Sequence, residues 1–376
     1  MGICLNMIVR NEAANLPKLF ASLPGQVDYF VIADTGSTDD TPDLIKRLSS
    51  HYGIPGKVTR HDWVDFSTNR NLALQDALAS MRAGEHDCDR LMILDADEEL
   101  QVLRPGWRQT LRPGVTYTAI SRGDRLSVCR NFLLWLPGME WTWKGRVHNH
   151  ITAGSPYPHA HLEDLYIRSH LFRGGKSHGF ADGMAKASAD AIIMEEELRG
   201  LNPCRELAHR FFQWAHVLFL GGSADKAEEI FASLATDPDT GRGIRYASAI
   251  MAGRCGLSAG SDLGYGGRWF VVARTLDPLR REALFYLALT STDKHKALAL
   301  LDEASRIDPP HGAVFYLEHD LYEWRTRHQR IILLAGLGEI AQACREASAL
   351  IETGILPETE RGFLTALIKK GGTNFT

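Results

Sequence analysis

Nothing in this sequence reads as a membrane-spanning helix, because no run of about 18 consecutive apolar residues occurs in it. It also lacks a cysteine framework. Cys4, Cys88, Cys129, Cys204, Cys255 and Cys344 are scattered, with no CxxC pair, which argues against a disulfide-stapled scaffold and fits a reducing compartment, the cytoplasm. Basic residues are not in excess: 42 Lys and Arg against 46 Asp and Glu give a formal charge of -4. The electrostatic footprint of a polyanion binder is therefore missing, and there is no strong nucleic-acid signal. The apolar stretch from Met1 to Val9 is too short for a signal-peptide core and meets Arg10-Asn11-Glu12 at once, so it reads as a first strand. Nor is the chain short of apolar residues. At 44% hydrophobic and 23% charged over 376 residues, it is expected to fold throughout and to exceed a single core.

In the first hundred residues, strand-like runs alternate with helical spacing. Ile3 to Val9, Tyr29 to Ala33, Lys57 to Thr59 and Leu91 to Leu94 are the strands. Leu16, Leu19, Phe20 and Leu23, then Leu74, Ala77, Leu78 and Met81, mark helices. This βαβ rhythm predicts an α/β domain with a mostly parallel sheet and helices on both faces. After the second strand, Gly36 allows a tight bend, Ser37 and Asp40 are spaced as a capping box, and Pro42 suits a first turn; a helix is expected from about Asp39. Ligands of such sheets bind beyond the carboxyl ends of the strands, where Asp34 and Asp95 both fall.

From Thr116 to about Leu171 the pattern is of short strands with many aromatics, including Trp135, Trp141 and Trp143. Past Gly179 it becomes helical. Arg205 to Pro238 and Glu282 to Pro309 each give two amphipathic helices closed by Asp-Pro. Ile244 to Pro278 ends the same way, and Ile331 to Ile351 supplies a last pair. Units of roughly 34 residues with two antiparallel helices describe a tetratricopeptide-like repeat, and a helical bundle is the alternative. Domains of 1–175 and 176–376 follow.

Asp95-Ala96-Asp97 lies where a buried strand leaves the sheet, and two carboxylates so placed suit a hard divalent cation. Alone, the pattern is a weak signal and reads more readily as a solvated acidic turn after a strand. Its company is more specific: Arg10-Asn11-Glu12 after strand one, Asp34 to Asp39 after strand two, and Asp62 to Asn71 before the acidic strand. Together these segments resemble the family 2 glycosyltransferases of the GT-A fold, in the branch with a C-terminal tetratricopeptide-like domain. The resemblance covers roughly residues 3 to 175.

The resemblance implies a metal-dependent transferase moving a hexose or N-acetylhexosamine from a nucleoside diphosphate donor, a UDP-sugar by preference, to an unidentified acceptor with inversion. Glu12 and Asp34 would meet the base and ribose. Arg70 would face the nucleotide or diphosphate from the first turn of a helix opened by Ser67. Asp97 would hold Mn2+ or Mg2+, with Asp95 beside the ribose or a metal-bound water, and His170 as a further ligand. Arg130 would lie near the diphosphate, or pair structurally. Trp141 and Trp143 read as packing residues, with sugar stacking as the alternative.

Trp143-Lys144-Gly145-Arg146-Val147-His148 resembles a family segment normally followed by a glutamate base, but Asn149 stands there. An amide accepts no proton usefully, which leaves His148, Glu163 and Asp164 as candidates. His148, His150, His159, His161, His170 and His178 are dense, yet their spacing does not match the common zinc patterns. The repeat domain suggests a protein, peptide or glycan acceptor, held in a concave groove. Two other readings stay open: a non-catalytic scaffold that binds nucleotide sugar or protein, which Asn149 favours, and a nucleotidyltransferase. Val9-Arg10-Asn11-Glu12 lacks the glycine-rich basic loop expected of the latter.

Overall fold

A computed structural model describes residues 2–123, 125–170, 183–204, 207–258, 263–312 and 314–372. His178, Arg205 and the expected domain boundary at residue 175 lie outside them. The chain divides into two compact units, the first of residues 1–199 with 312–314, the second of 200–311 with 315–376.

The first unit is built on β1 (Gly2–Val9), β2 (Tyr29–Asp34), β3 (Gly56–Arg60) and β4 (Cys88–Ile93). These pair in parallel in the order β3-β2-β1-β4. Alternation along β1 sorts the core. Ile3, Leu5, Met7 and Val9 pack with Leu16, Leu19 and Phe20 of helix α1 (Leu16–Ala21) and Ile45 of α2 (Thr41–Tyr52). Cys4 turns to the other face, where Leu74 and Ala77 of α3 (Phe66–Arg82) cover it. Asn6 shares that face and donates to the carbonyls of Val31 at 3.0 Å and Ala73 at 2.9 Å. Period-two alternation thus puts helices on both faces.

Beyond β4 the sheet becomes mixed. β5 (Glu98–Val102), β6 (Thr116–Arg122), β7 (Leu126–Trp135) and β11 (Leu165–Ser169) continue it as β4-β7-β6-β11-β5. β10 (His159–His161) runs alongside β6. β8 (Trp141–Lys144) and β9 (His150–Ala153) form a separate hairpin whose Trp141, Trp143 and Ile151 join the α3 core. Helix α4 (Gly183–Leu198) also belongs to this unit.

The second unit is a succession of helices, each packed on the next: α5 (Ala208–Leu220), α6 (Ala224–Thr236), α7 (Arg242–Ser258), α8 (Leu263–Leu276), α9 (Arg281–Thr290), α10 (Lys294–Ser305), α11 (Thr326–Gly336), α12 (Ile340–Glu352) and α13 (Glu358–Gly372). Gly222, at φ 87°, turns the chain between α5 and α6, where a residue with a Cβ would be strained. Asp237 caps α6 just before Pro238. The pairs expected from helical spacing are present.

Candidate active site

The acidic residues singled out in the sequence gather at the carboxyl ends of the parallel strands. Asp34 ends β2, pairs in register with Val9 of β1, and is 3% exposed. Its carboxylate accepts the amides of Gly36 and Ser37, and Gly36 sits at φ 99°, where glycine is favoured. Asn11, itself at φ 57°, joins the loops after β1 and β2. Its amide donates to the Ser37 hydroxyl at 2.9 Å, and its side-chain oxygen accepts the Thr38 amide at 2.7 Å. The Glu12 amide donates to Thr41 at 2.8 Å, and the Glu12 carboxylate accepts from Asn15. Helix α2 accordingly begins at Thr41 without the expected capping box: Ser37 is taken by Asn11, and Asp40 pairs with Arg47.

Residues 62–71 form a hydrogen-bonded entry to α3. Asp65, not Ser67, caps the helix by accepting the Thr68 amide at 2.8 Å. Buried Asn69 accepts from the Val64 amide and donates to the Asp62 carbonyl, folding the loop onto the helix start. Asn71 grips the backbone of Trp143 in both directions, at 2.8 and 3.0 Å. Between them, the Arg70 guanidinium lies 4.7 Å from the Trp143 ring centroid and forms an ion pair with Asp95. Arg70 Nε is buried without a hydrogen-bond partner among the described residues.

Asp95 is therefore held by a cation. Burial alone would raise its carboxyl, but Arg70 and Arg130 hold it below the usual value. Its backbone amide donates to Glu98 at 2.8 Å, and Glu98 in turn pairs with Arg130. Burial pushes the Glu98 carboxyl upward despite that arginine. Arg130 thus adopts the structural pairing among the two expectations for it. Asp97 differs from both acids, since no side chain among the described residues forms an ion pair or hydrogen bond with it. Burial, then the charges of Asp95 and Glu12, push its carboxyl up to about 6.

His170 reaches this cluster. Its amide donates to the Asp97 carbonyl at 3.0 Å, and its Nε2 lies 2.8 Å from Glu99 Oε1. Of the three expected bases, Glu163 and Asp164 are not brought here. They precede β11, whose Ser169 pairs with Glu98 while Leu165 pairs with Val102. At about 3.3 Å per residue, the length of the strand, roughly 16 Å, separates them from the Asp97 end. Asp164 instead pairs with Arg104 at 3.0 Å and lines a separate 280 Å³ cavity with Glu163, Arg112 and His161. His148 follows β8 in the turn of the Trp143 hairpin, at φ 45°, and its Nε2 lies 3.1 Å from Asp190 of α4. Burial alone would raise the Asp190 carboxyl, but hydrogen bonds from His148 and Lys186 hold it low.

Sequence reasoning missed Glu98, Glu99, Asn11 as a loop latch, and Asp190. Glu98 and Glu99 stood in the acidic run, but their partners lie 32 and 71 residues away. Among the described residues, no group of three or more His, Cys, Asp or Glu side chains is arranged as a metal cage. The donor set nevertheless fits one kind of site. Magnesium-like ions are commonly held by one or two carboxylates plus substrate phosphates, and Asp97 offers a carboxylate that forms no ion pair among the described residues.

Residues 4–104 match the family model described as glycosyl transferase family 2. A TPR repeat-containing protein of Synechococcus elongatus is 39% identical over 99 residues, 26% of this chain and 21% of that protein. The chain therefore spans about a fifth of that relative's length. Among solved structures, a tetratricopeptide repeat protein from Parabacteroides merdae is similar over 52% of this chain and 72% of its own, at 14% identity and a TM-score of 0.38. MamA from Desulfovibrio magneticus is similar over 44% and 85%, at 13% identity and a TM-score of 0.34. No described helix is long and apolar enough to cross a membrane. Residues 4–104 therefore carry the family 2 glycosyltransferase pattern, and a succession of paired helices follows in this chain.

Proposed function

We propose that the first unit is a metal-dependent glycosyltransferase that takes a hexose or N-acetylhexosamine from a nucleoside diphosphate, a UDP-sugar by preference, and delivers it to a protein, peptide or glycan acceptor with inversion. The observation that carries this reading is Asp97, an acid whose ionisation is opposed by burial, Asp95 and Glu12, and which has no side-chain ion pair among the described residues. A divalent metal arriving with the diphosphate would stabilise such a carboxylate. Mn2+ or Mg2+ held by Asp97, with His170 as a second ligand, would neutralise charge on the departing diphosphate.

The protein's own groups do the rest. Glu12 and Asp34 receive donor hydrogens of the base and ribose at the ends of β1 and β2. Arg70, stacked on Trp143, exchanges its bond to Asp95 for the donor's phosphate, leaving Asp95 to the ribose or a metal-bound water. Glu99 holds Nε2 of His170 and so fixes which ring nitrogen faces away from it. His148 serves as the base in place of the glutamate that Asn149 replaces, oriented by Asp190 as a carboxylate orients a catalytic imidazole. In the transfer, an acceptor lone pair forms the bond to the anomeric carbon while the bond to the diphosphate oxygen breaks. The acceptor proton passes to His148.

The test is mass spectrometry of an acceptor pool incubated with a panel of nucleotide sugars and Mn. Asp97→Ala is expected to abolish both transfer and slow donor hydrolysis with the fold intact, and turnover like that of the unmodified protein would remove the metal assignment. Asn149 also favours a second reading, a nucleotide-sugar-binding scaffold without turnover. In that case donor binding would persist while no acceptor mass shift is found with any sugar.

A further inference from the structure

Between α10 and α11 the chain sends a short stretch, residues 315–318, across three helices of its own unit. Phe315 meets the rings of His209 and Phe212 on α5, edge on, at 5.5 and 5.0 Å. Gly243 on α7 leaves room for it: a Cβ there would come within 3.4 Å of the Phe315 Cβ. Tyr316 is 3% exposed and accepts Arg254 of α7 on its hydroxyl at 3.0 Å, while Arg280 donates to its carbonyl. Glu318 is 4% exposed. It receives the Tyr286 hydroxyl of α9 at 2.9 Å and Arg325 at 2.9 Å, with Arg254 at 3.6 Å. Its amide donates to the buried carboxylate of Glu282, which also holds Arg280 at 2.6 Å and the hydroxyl of Tyr322 at 3.1 Å.

A stretch that merely filled a core would be apolar, because a buried carboxylate is costly unless cations and hydroxyls are arranged around it. Here they are arranged. Helices α5, α7 and α9 offer an aromatic slot, Arg254 for a hydroxyl, and the Tyr286 hydroxyl with Arg254 at 3.6 Å for a carboxylate, the means by which proteins read peptide side chains. The backbone of the stretch is read as well, through the Tyr316 carbonyl and the Glu318 amide.

We propose that the face contributed by α5, α7 and α9 is a recognition groove for an extended peptide carrying two adjacent aromatics and, two residues on, a carboxylate, and that Phe315–Glu318 is its resident ligand. The consequence narrows the expectation that the helical half holds an acceptor in its groove. A peptide acceptor of this pattern competes with the chain's own segment, and one without it does not occupy this face. The proposal is independent of the transferase reading, because none of its recognition residues belongs to the acidic cluster and its test reads peptide binding rather than sugar transfer.

The experiment uses a fluorescent peptide copying residues 312–321 and measures its anisotropy against the full chain. The unmodified protein is expected not to bind it, because the groove is filled. Tyr316→Ala with Glu318→Ala in the full chain is expected to free the groove and bind it. A peptide with alanine in place of the glutamate should then bind about tenfold more weakly or worse, a difference of about 1.4 kcal/mol. Equal binding by both proteins, or no binding by a folded double variant, overturns the proposal. Hydrogen exchange on the unmodified chain supplies a reading that needs no variant. A resident ligand opens locally, so amides 315–318 should exchange faster than those of α7; exchange of both at one rate, through global unfolding, makes the segment core and overturns the proposal.

Discussion

At Asp97 the fold places a carboxyl where its neighbours oppose ionisation, and stability and activity are expected to part company there. Its folded value of about 6 lies above the ordinary 3.8, so the folded state binds this proton more tightly than the unfolded chain. The contribution is stabilising below about pH 4 and is lost as pH rises through about 6. Asp97→Asn is therefore expected to raise the stability of the metal-free protein at pH 8 by about 1–2 kcal/mol, discounted for partial exposure, while eliminating transfer. Urea unfolding of both proteins at pH 4 and pH 8 checks this, the difference being confined to the higher pH. The base makes a separate prediction. Asp190→Asn leaves His148 without its orienting carboxylate and should lower kcat about 100-fold with donor KM unchanged, measured as transfer against pH. Activity retained in His148→Ala would reassign the base. Asp34, Asp95 and Asp97 were legible in the sequence because apolar runs mark strand ends and the acids follow them directly. The pairings of Glu98 with Arg130 and Glu99 with His170 were not, because their partners are set by strand register far along the chain.

Among the elements, α3 carries the most of the site, since its cap, loop and first turns set Arg70 against Trp143 and Asp95. Asp65 accepts the Thr68 amide and the hydroxyls of Ser67 and Thr68. Asp65→Ala is expected to cost about 1 kcal/mol of stability, read as a lower denaturation midpoint. It should also weaken donor binding, because Arg70 begins only one turn beyond the cap. The parallel half of the sheet was readable because βαβ units alternate two periods, with Ile3, Leu5, Met7 and Val9 on one face and Leu74 and Ala77 covering the other. The mixed half was not. Strands such as β5 and β11 are five residues each, and nothing in so short a run says that Ser169 must meet Glu98 or that Leu165 must meet Val102. That missing register is why Glu163 and Asp164 stood as bases in the sequence and lie at the far end of β11 in the structure. The capping box was similarly misread from local spacing, because Ser37 is claimed by Asn11 from another loop.

For the whole molecule, the two compact units divide at residues 199 and 200, whereas composition placed the change of character at 175, where the aromatic strands give way to helical spacing. Helix α4 accounts for the difference: its pattern is helical, yet Asp190, Glu196 and Glu197 bind His148 and Arg146 of the first unit. A helical signal names an element but not the core it serves. The helix pairs of the second unit were legible because Asp-Pro and Gly-Gly punctuate them, as at Asp237-Pro238 and Gly221-Gly222. The segment crossing α5, α7 and α9 was not, since Phe315, Tyr316 and Glu318 have no period of their own. On the proposed function, the acidic cluster at the strand ends binds a nucleoside diphosphate through a metal on Asp97. Isothermal titration of UDP and GDP into the full chain, with and without Mn, decides it: binding is expected to require Mn in the unmodified protein and to be lost in Asp97→Ala, and an unmodified protein without metal-dependent binding would overturn the assignment.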